Sequence, residues 1–327
     1  MTLSNNQTLP LANYLANTSR LAFGCMGLID WDTHIISNEQ QKFAEQAIES
    51  ALDAGITLFD HADIYCKGKA EEVFGNVLKY QPGLRDKIYL QSKVGIRPAS
   101  NDLPGRYDFS SQWLTHSIEG SLKRLNTDYL DVYFLHRPDP LMQPEAVAEV
   151  FHQLHDSGKV RHFAVSNMQQ HQIAFLQTHL NLPIIANQIE MSLFHIDWLE
   201  EGVLSGQQQG IEVNFTAGTL EYCRQHKIQL QAWGSLAQGI FSGKKVKSPT
   251  KAIRQTSELV ARLAAEYATS KEAIVLAWLQ RHPANIQPVI GTCVPSRIKA
   301  CAQAEQVTLS REHWYALYIS ARGEALP

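Results

Sequence analysis

Short apolar runs that alternate with segments of helical spacing constrain this chain more than any other feature. Runs at residues 20–25, 56–60, 88–93, 129–136, 160–166, 183–190, 228–234 and 286–291 are rich in β-branched and aromatic residues. Near-continuous apolar runs of that length, without strict alternation, predict strands buried on both faces of a sheet. Between them lie stretches whose apolar positions recur at three and four residues, predicting helices at 38–54, 70–80, 110–125, 144–157 and 169–179. In the first of these, Phe43, Ala47, Ile48, Ala51 and Leu52 share one face, and Gly55 follows where a left-handed residue would stop the helix.

Eight such units over 327 residues predict a single α/β domain, 1–327, built as a (β/α)8 TIM barrel. A doubly wound sheet would want a glycine-rich turn after its first strand, and Gly24-Cys-Met-Gly27 is not that fingerprint. In a barrel the chemistry sits at the carboxyl ends of the strands. The long connections 94–109 and 197–216 fall where a barrel places loops facing the substrate; 94–109, which leaves the strand ending in Lys93, is expected to be functional, whereas 197–216 reads equally as a tolerated surface insertion.

A formal net charge of −3 gives no electrostatic case for nucleic acid or an anionic membrane, so a small-molecule substrate is expected. The longest apolar stretches, at 130–135 and 273–279, are too short to span a bilayer, and residues 1–8 lack the basic and apolar pattern of an export signal. Five scattered cysteines, odd in number and without a Cys-x-x-Cys pair, suit a reducing, cytoplasmic setting.

Several predicted strands end in polar residues: Asp60, Lys93, His136, Ser166 and Glu190. Tyr65 lies five residues beyond Asp60, on a loop able to fold back over the same mouth. A partly buried lysine requires a partner, and Asp60 is the available one. An ammonium beside a phenol is expected to lower the phenol's pKa and make it a general acid, while a neutral histidine orients a carbonyl oxygen. Taken singly, Asp60 reads as a cap, Tyr65 as a core aromatic, Lys93 as a solvated strand end and His136 as a loop histidine. Together, at three successive strand ends, they compose what reduction of a carbonyl by a hydride donor requires. A metal site reading of Asp60-His61-x-Asp63 lacks the second histidine that would complete it, and His152 and His155 read as a solvated helix face, so no metal is expected. A binding or regulatory barrel, like channel-associated reductase relatives, is the remaining alternative; it would be expected to have lost some of the four groups.

Gly55-Ile-Thr-Leu-Phe-Asp60-His-Ala-Asp-Ile-Tyr65, the strand ending in Lys93, and Leu130-Asp-Val-Tyr-Phe-Leu-His136 resemble the aldo-keto reductase family. Gly158-Lys-Val-Arg-His-Phe-Ala-Val-Ser166-Asn167 and Asn187-Gln188-Ile-Glu190 are similar to its later motifs, and the resemblance runs from about Leu21 to Cys301. Within the family, the Asp-His-Ala-Asp-Ile-Tyr and Leu-His-Arg-Pro-Asp-Pro runs look like a bacterial oxidoreductase branch. The resemblance implies reduction of aldehydes or ketones with NADPH or NADH, Tyr65 as proton donor, Lys93 and Asp60 as its tuners, and His136 lining the carbonyl site.

It also implies a cofactor site. Ser166, Asn167 and Gln188 would bond the nicotinamide carboxamide, and Trp233 would stack on the ring. Gly234, Ser235, Leu236 and Gly239 would hold the pyrophosphate, and Gly291, Thr292 and Arg297 the adenosine end. Trp31 and Tyr107 would help to line the substrate pocket. Where many members of the family read Pro-Lys-Ser, this chain has Gly291 in place of the lysine, and Ala300-Cys301 in place of the Glu-Asn that reads adenine. Arg297 is retained and suits a 2′-phosphate, so NADP(H) is expected to be preferred, with NAD(H) use possible.

Overall fold

The computed structural model describes residues 8–327 except 82 and 101. Residues 1–7, most of the stretch read for an export signal, lie outside the described residues. All eight expected strands form: β1 (Ala22–Gly24), β2 (Leu58–Asp60), β3 (Tyr89–Val94), β4 (Leu130–Leu135), β5 (Val160–Ser166), β6 (Ile184–Glu190), β7 (Gln229–Trp233) and β8 (Gln287–Ile290). They pair in parallel in chain order, and β8 returns to β1, closing a barrel.

The five expected helices appear as α1 (Asn38–Asp53), α2 (Lys69–Tyr80), α3 (Ser111–Leu125), α4 (Pro144–Asp156) and α5 (Gln170–Gln177). Ser37 and Gln40 form a reciprocal capping box at the start of α1, and Gly55 follows its end at φ +78°. Where α2 and α3 meet, a Cβ on Gly75 would lie 2.0 Å from the Arg124 carbonyl oxygen, so only glycine permits that approach.

Side chains alternate between two cores. Phe23, Phe59 and Phe163 face outward into the layer beneath the helices, with Phe59 and Phe74 packed at 5.2 Å. Ala22, Leu58, Val132, Phe134 and Ala164 belong to a second cluster together with Leu9, Leu11 and Leu15 of the N-terminal turn. Because β side chains alternate, Asp60 shares the side of Leu58, and Lys93 that of Gln91, while Ser92 points outward to Glu71 on α2.

A polar layer of glutamines crosses this barrel. Gln188, Gln231 and Gln287 stand opposite one another on β6, β7 and β8. The Gln231 amide nitrogen donates to Gln287 at 2.9 Å and Gln91 at 3.1 Å, and its oxygen accepts from Gln91 and Gln188, both at 3.0 Å. Buried amides of this kind cost about 1–3 kcal/mol for each group left unpaired, which makes the mutual pairing a condition of their presence.

The 197–216 segment is a helix and a turn rather than the expected open loop. It contains α6 (Asp197–Val203) and a 3-10 turn at Gln208–Glu212. Trp198 is buried edge-on against Trp278 at 5.6 Å, and buried Glu200 accepts from Tyr318 and from the Arg322 guanidinium at 2.9 Å. All three partners come from the remote C-terminal helices α7 (Lys271–Gln280) and α8 (Arg311–Arg322), a tertiary anchor that local polarity conceals. The 94–109 connection carries a short antiparallel ribbon in which Ile96 pairs with Tyr107 and Arg97 with Arg106.

Candidate active site

The carboxyl ends of β2 and β3 bring Asp60 and Lys93 together inside the barrel. Lys93 is fully buried, and its Nζ lies 2.7 Å from the Asp60 carboxylate, 2.9 Å from the His61 carbonyl oxygen and 3.1 Å from the Tyr65 hydroxyl. Gln91 and Gln188 donate to Asp60 Oδ1, the latter at 3.0 Å. Three contacts on the ammonium and two amide donors on the carboxylate supply what a buried ion pair needs.

Tyr65 reaches this pair through an unusual turn. Cys66, Lys67 and Gly68 all have left-handed φ, at +50°, +56° and +85°. For the first two this conformation is disfavoured by about 1–2 kcal/mol each. The Cys66 thiol, donating towards the Met26 and Ile29 carbonyls at 3.3 and 3.2 Å, ties the turn to the segment after β1. That anchorage holds the phenol against Lys93.

Burial raises the Tyr65 pKa above its ordinary value; Lys93 opposes the rise, and Asp60 adds to it. The expected net acidification is therefore reversed, because loss of solvent outweighs the ammonium. Burial also works against charge on Lys93, but Asp60 and Tyr65 together carry its pKa above the usual value and keep it an ammonium. His136 is held neutral: burial, then Lys93 and Arg137, lower its pKa to about 2. Its Nδ1 is buried without a partner among the described residues, and its ring stands at 80° to that of Tyr65 with centroids 6.1 Å apart.

These groups open into a cleft of about 700 Å³. Asp60, Tyr65 and His136 line it, as do all eleven residues expected to hold the cofactor, from Ser166 on β5 to Arg297. Lys93 lies beneath its floor. Trp31 and Tyr107 do not join the lining; both are exposed, Trp31 in a turn after β1 and Tyr107 on the short ribbon.

The cleft suits a nicotinamide dinucleotide in several respects. Trp233 ends β7, and its indole N–H donates to Asn167 Oδ1 at 3.0 Å, which fixes the ring plane. Asn167, at φ +57°, also donates to Ser166 Oγ and the His136 carbonyl. The Gln188 amide nitrogen serves Asp60 and Gln231, leaving its oxygen as the acceptor for a carboxamide. Gly234, Ala237, Gln238 and Gly239 all have positive φ, the kind of backbone that lets amide N–H groups converge on an anion. At Gly291 a Cβ would meet nothing within 4 Å, so the missing lysine leaves open space.

Sequence reasoning missed Gly24, Met26, Arg137 and Val289 in the lining. Lys244 stands just outside that lining, beside the glycine loop. A Cβ at Gly239 would lie 3.2 Å from Arg297 Nη2 and 3.7 Å from Lys244, whose ammonium donates to Gln238 at 2.8 Å. In the sequence it belongs to a Gly243-Lys-Lys run that begins four residues after Gly239. Arg297 itself is paired with Glu272 at 3.3 Å.

Comparisons with known proteins bear on the family and the fold. The model of the aldo/keto reductase family matches residues 20–319. An uncharacterized oxidoreductase of Bacillus subtilis, YcsN, is 36% identical, with 94% of this chain and 96% of that protein covered. A 6-dehydroglucose reductase of Agrobacterium fabrum is 35% identical over 94% of this chain and 95% of its own length. Among solved structures, the glycerol dehydrogenase of Gluconobacter oxydans superposes with a TM-score of 0.77 at 21% identity, covering 95% of this chain and 93% of that one. An aldo/keto reductase of Klebsiella pneumoniae, solved with NADP and acetate, gives 0.66 at 24% identity, with 92% and 90% covered. The chain belongs to the aldo/keto reductase family, whose members reduce carbonyl groups with a nicotinamide cofactor.

Proposed function

We propose that this enzyme reduces small aldehydes and ketones with NADPH in preference to NADH, and that Tyr65 gives the proton. The observation that carries the reading is the 3.1 Å contact between Lys93 Nζ and the Tyr65 hydroxyl, closed beneath by Asp60 at the floor of the cleft. A nicotinamide bound against Trp233 supplies the hydride. The chain's own residues do the rest. Neutral His136 holds the carbonyl oxygen, and Tyr65 donates its proton there as negative charge develops. Lys93 stabilises the phenolate that remains, and Asp60 keeps Lys93 charged and in place.

The pKa above the ordinary value suits this direction of reaction. At neutral pH the phenol is fully protonated, ready as an acid, and an alkoxide oxygen is basic enough to take the proton. Arg297 and Lys244, both beside Gly239, support the preference for a 2′-phosphate. A 6-dehydroglucose reductase among the relatives supports a small polar carbonyl as substrate. The five cysteines are all free and buried, which supports a reducing, cytoplasmic setting.

The test is oxidation of NADPH in the presence of a reactive aldehyde such as 4-nitrobenzaldehyde. Tyr65→Phe lowers kcat by on the order of 10²-fold or more, the scale of a lost general acid, while NADPH still binds. Turnover equal to the parent's in that variant removes Tyr65 from its role.

A further inference from the structure

Arg137 follows His136 at the mouth of β4 and is half-buried. Its guanidinium carbon lies 5.8 Å from the centre of the Trp233 ring, and it has no ion pair or hydrogen bond among the described residues. Several other arginines of the fold are tied down, as Arg85 is to Asp131, Arg124 to Glu71 and Arg322 to Glu200, at 2.7, 2.7 and 2.9 Å. At the reacting end of the cleft the remaining charges cancel: Lys93 is matched by Asp60, and Tyr65 and His136 are neutral. Arg137 is the charged group there without a direct partner among the described residues.

It also lines a second cavity, of about 370 Å³, which shares Arg137, Asn167 and Trp233 with the main cleft. That cavity contains two carboxylates, yet neither is paired with Arg137. Glu190 lies 3.4 Å from His195, and Asp197 accepts from the Asn214 N–H at 3.0 Å. The guanidinium therefore stands free at the boundary of two open spaces, beside the imidazole proposed to hold the carbonyl.

We propose that Arg137 selects carbonyl compounds bearing a carboxylate or similar planar anion, an inference that rests on reading the cleft as a carbonyl-reduction site. A guanidinium presents parallel donors that match a carboxylate, and partial burial strengthens the pairing relative to water. A carboxylate on the substrate thus favours binding at this end of the cleft.

The test compares glyoxylate, succinic semialdehyde and 4-carboxybenzaldehyde with their methyl esters, so that different reaches are sampled. In the parent enzyme, kcat/KM favours the acid over its ester by about tenfold or more at one length at least, the scale of one charge-assisted contact. Arg137→Met brings that ratio near one, Arg137→Lys keeps part of it, and Arg137→Glu turns it towards the ester. Calorimetric binding of benzoate against benzamide gives a readout without turnover: benzoate is preferred, and Arg137→Met abolishes the preference. Ratios near one in the parent at every length, or ratios that survive Arg137→Met, overturn the proposal. Should no aldehyde be reduced by protein that binds NADPH, the reductase reading fails by itself, and benzoate binding still decides for or against the anion site.

Discussion

Replacing Lys93 with methionine removes an ammonium while keeping most of the stem, so its effect is electrostatic rather than one of shape. In the parent, the ammonium is fully buried and contacts Asp60, the His61 carbonyl and Tyr65 at 2.7, 2.9 and 3.1 Å. Asp60 is 3% exposed, so solvent offers its carboxylate nothing when the cation goes. The Gln91 and Gln188 amides remain on Oδ1, but they are neutral donors. Breaking a buried pair by removing one partner costs about 3–5 kcal/mol, a large part of the roughly 5–15 kcal/mol that separates a folded domain from its unfolded chain.

Urea unfolding at neutral pH, followed by circular dichroism, measures this loss. Asp60→Asn alone is also costly, because it strands the ammonium. The double variant Asp60→Asn/Lys93→Met is more stable than the sum of the two losses allows, with a coupling of about 2 kcal/mol or more, since it leaves no bare charge in the barrel. Turnover is lost in all three, which separates the stability argument from the catalytic one. A Lys93→Met protein within 1 kcal/mol of the parent refutes the reasoning, as does a double variant whose loss equals the sum of the singles.

The rate of carbonyl reduction at saturating substrate is expected to show no histidine inflection around pH 6.5, because His136 is held down at about 2. A step there in the kcat profile contradicts the neutral imidazole. His61, fully buried beside Phe74 with neither ring nitrogen partnered among the described residues, is held at about 3 by burial and then by Lys93. Its unfolded value is about 6.5, so the stability it confers is complete above that pH and falls by about 1.4 kcal/mol per unit as the pH drops towards 3. In His61→Phe the unfolding free energy should decline less steeply with acid between these limits; an unchanged slope contradicts the assignment. Lys244→Ala is expected to weaken NADPH binding about tenfold while changing NADH little, measured by titration. Equal losses for both nucleotides remove Lys244 from the 2′-phosphate site.

The strands and the first five helices were legible because their signals are local. Burial on both sheet faces gives continuous apolar runs, and a helix with one buried face gives spacing of three and four. Asp60, Lys93 and His136 were legible for a related reason: a polar residue at the end of an apolar strand must emerge where the barrel opens. The 197–216 segment was not. Its helix is held by Trp198 and Glu200, whose partners Trp278, Tyr318 and Arg322 are 80 or more positions away. No window along the chain contains both halves of those contacts. The tuning of Tyr65 was misread on similar grounds, because adjacency to Lys93 can be argued from sequence whereas the depth of burial cannot.

The glutamine layer shows why the site is rigid where the chemistry needs it. Gln188 links the cofactor end to Asp60, Gln231 bridges Gln188 to Gln91, and Gln91 returns to Asp60, so a closed ring of hydrogen bonds sits directly under the ion pair. A single isolated glutamine in an apolar strand is a defect; these were readable as a set only once the register placed Gln188 beside Gln231. Each amide is oriented by its neighbours, and the neighbours lie on different strands. The carboxylate's position is therefore set by the barrel as a whole and not by the loop that carries Tyr65. That division of labour fixes Asp60 and Lys93 from the barrel, while the turn tied by Cys66 brings Tyr65 to them.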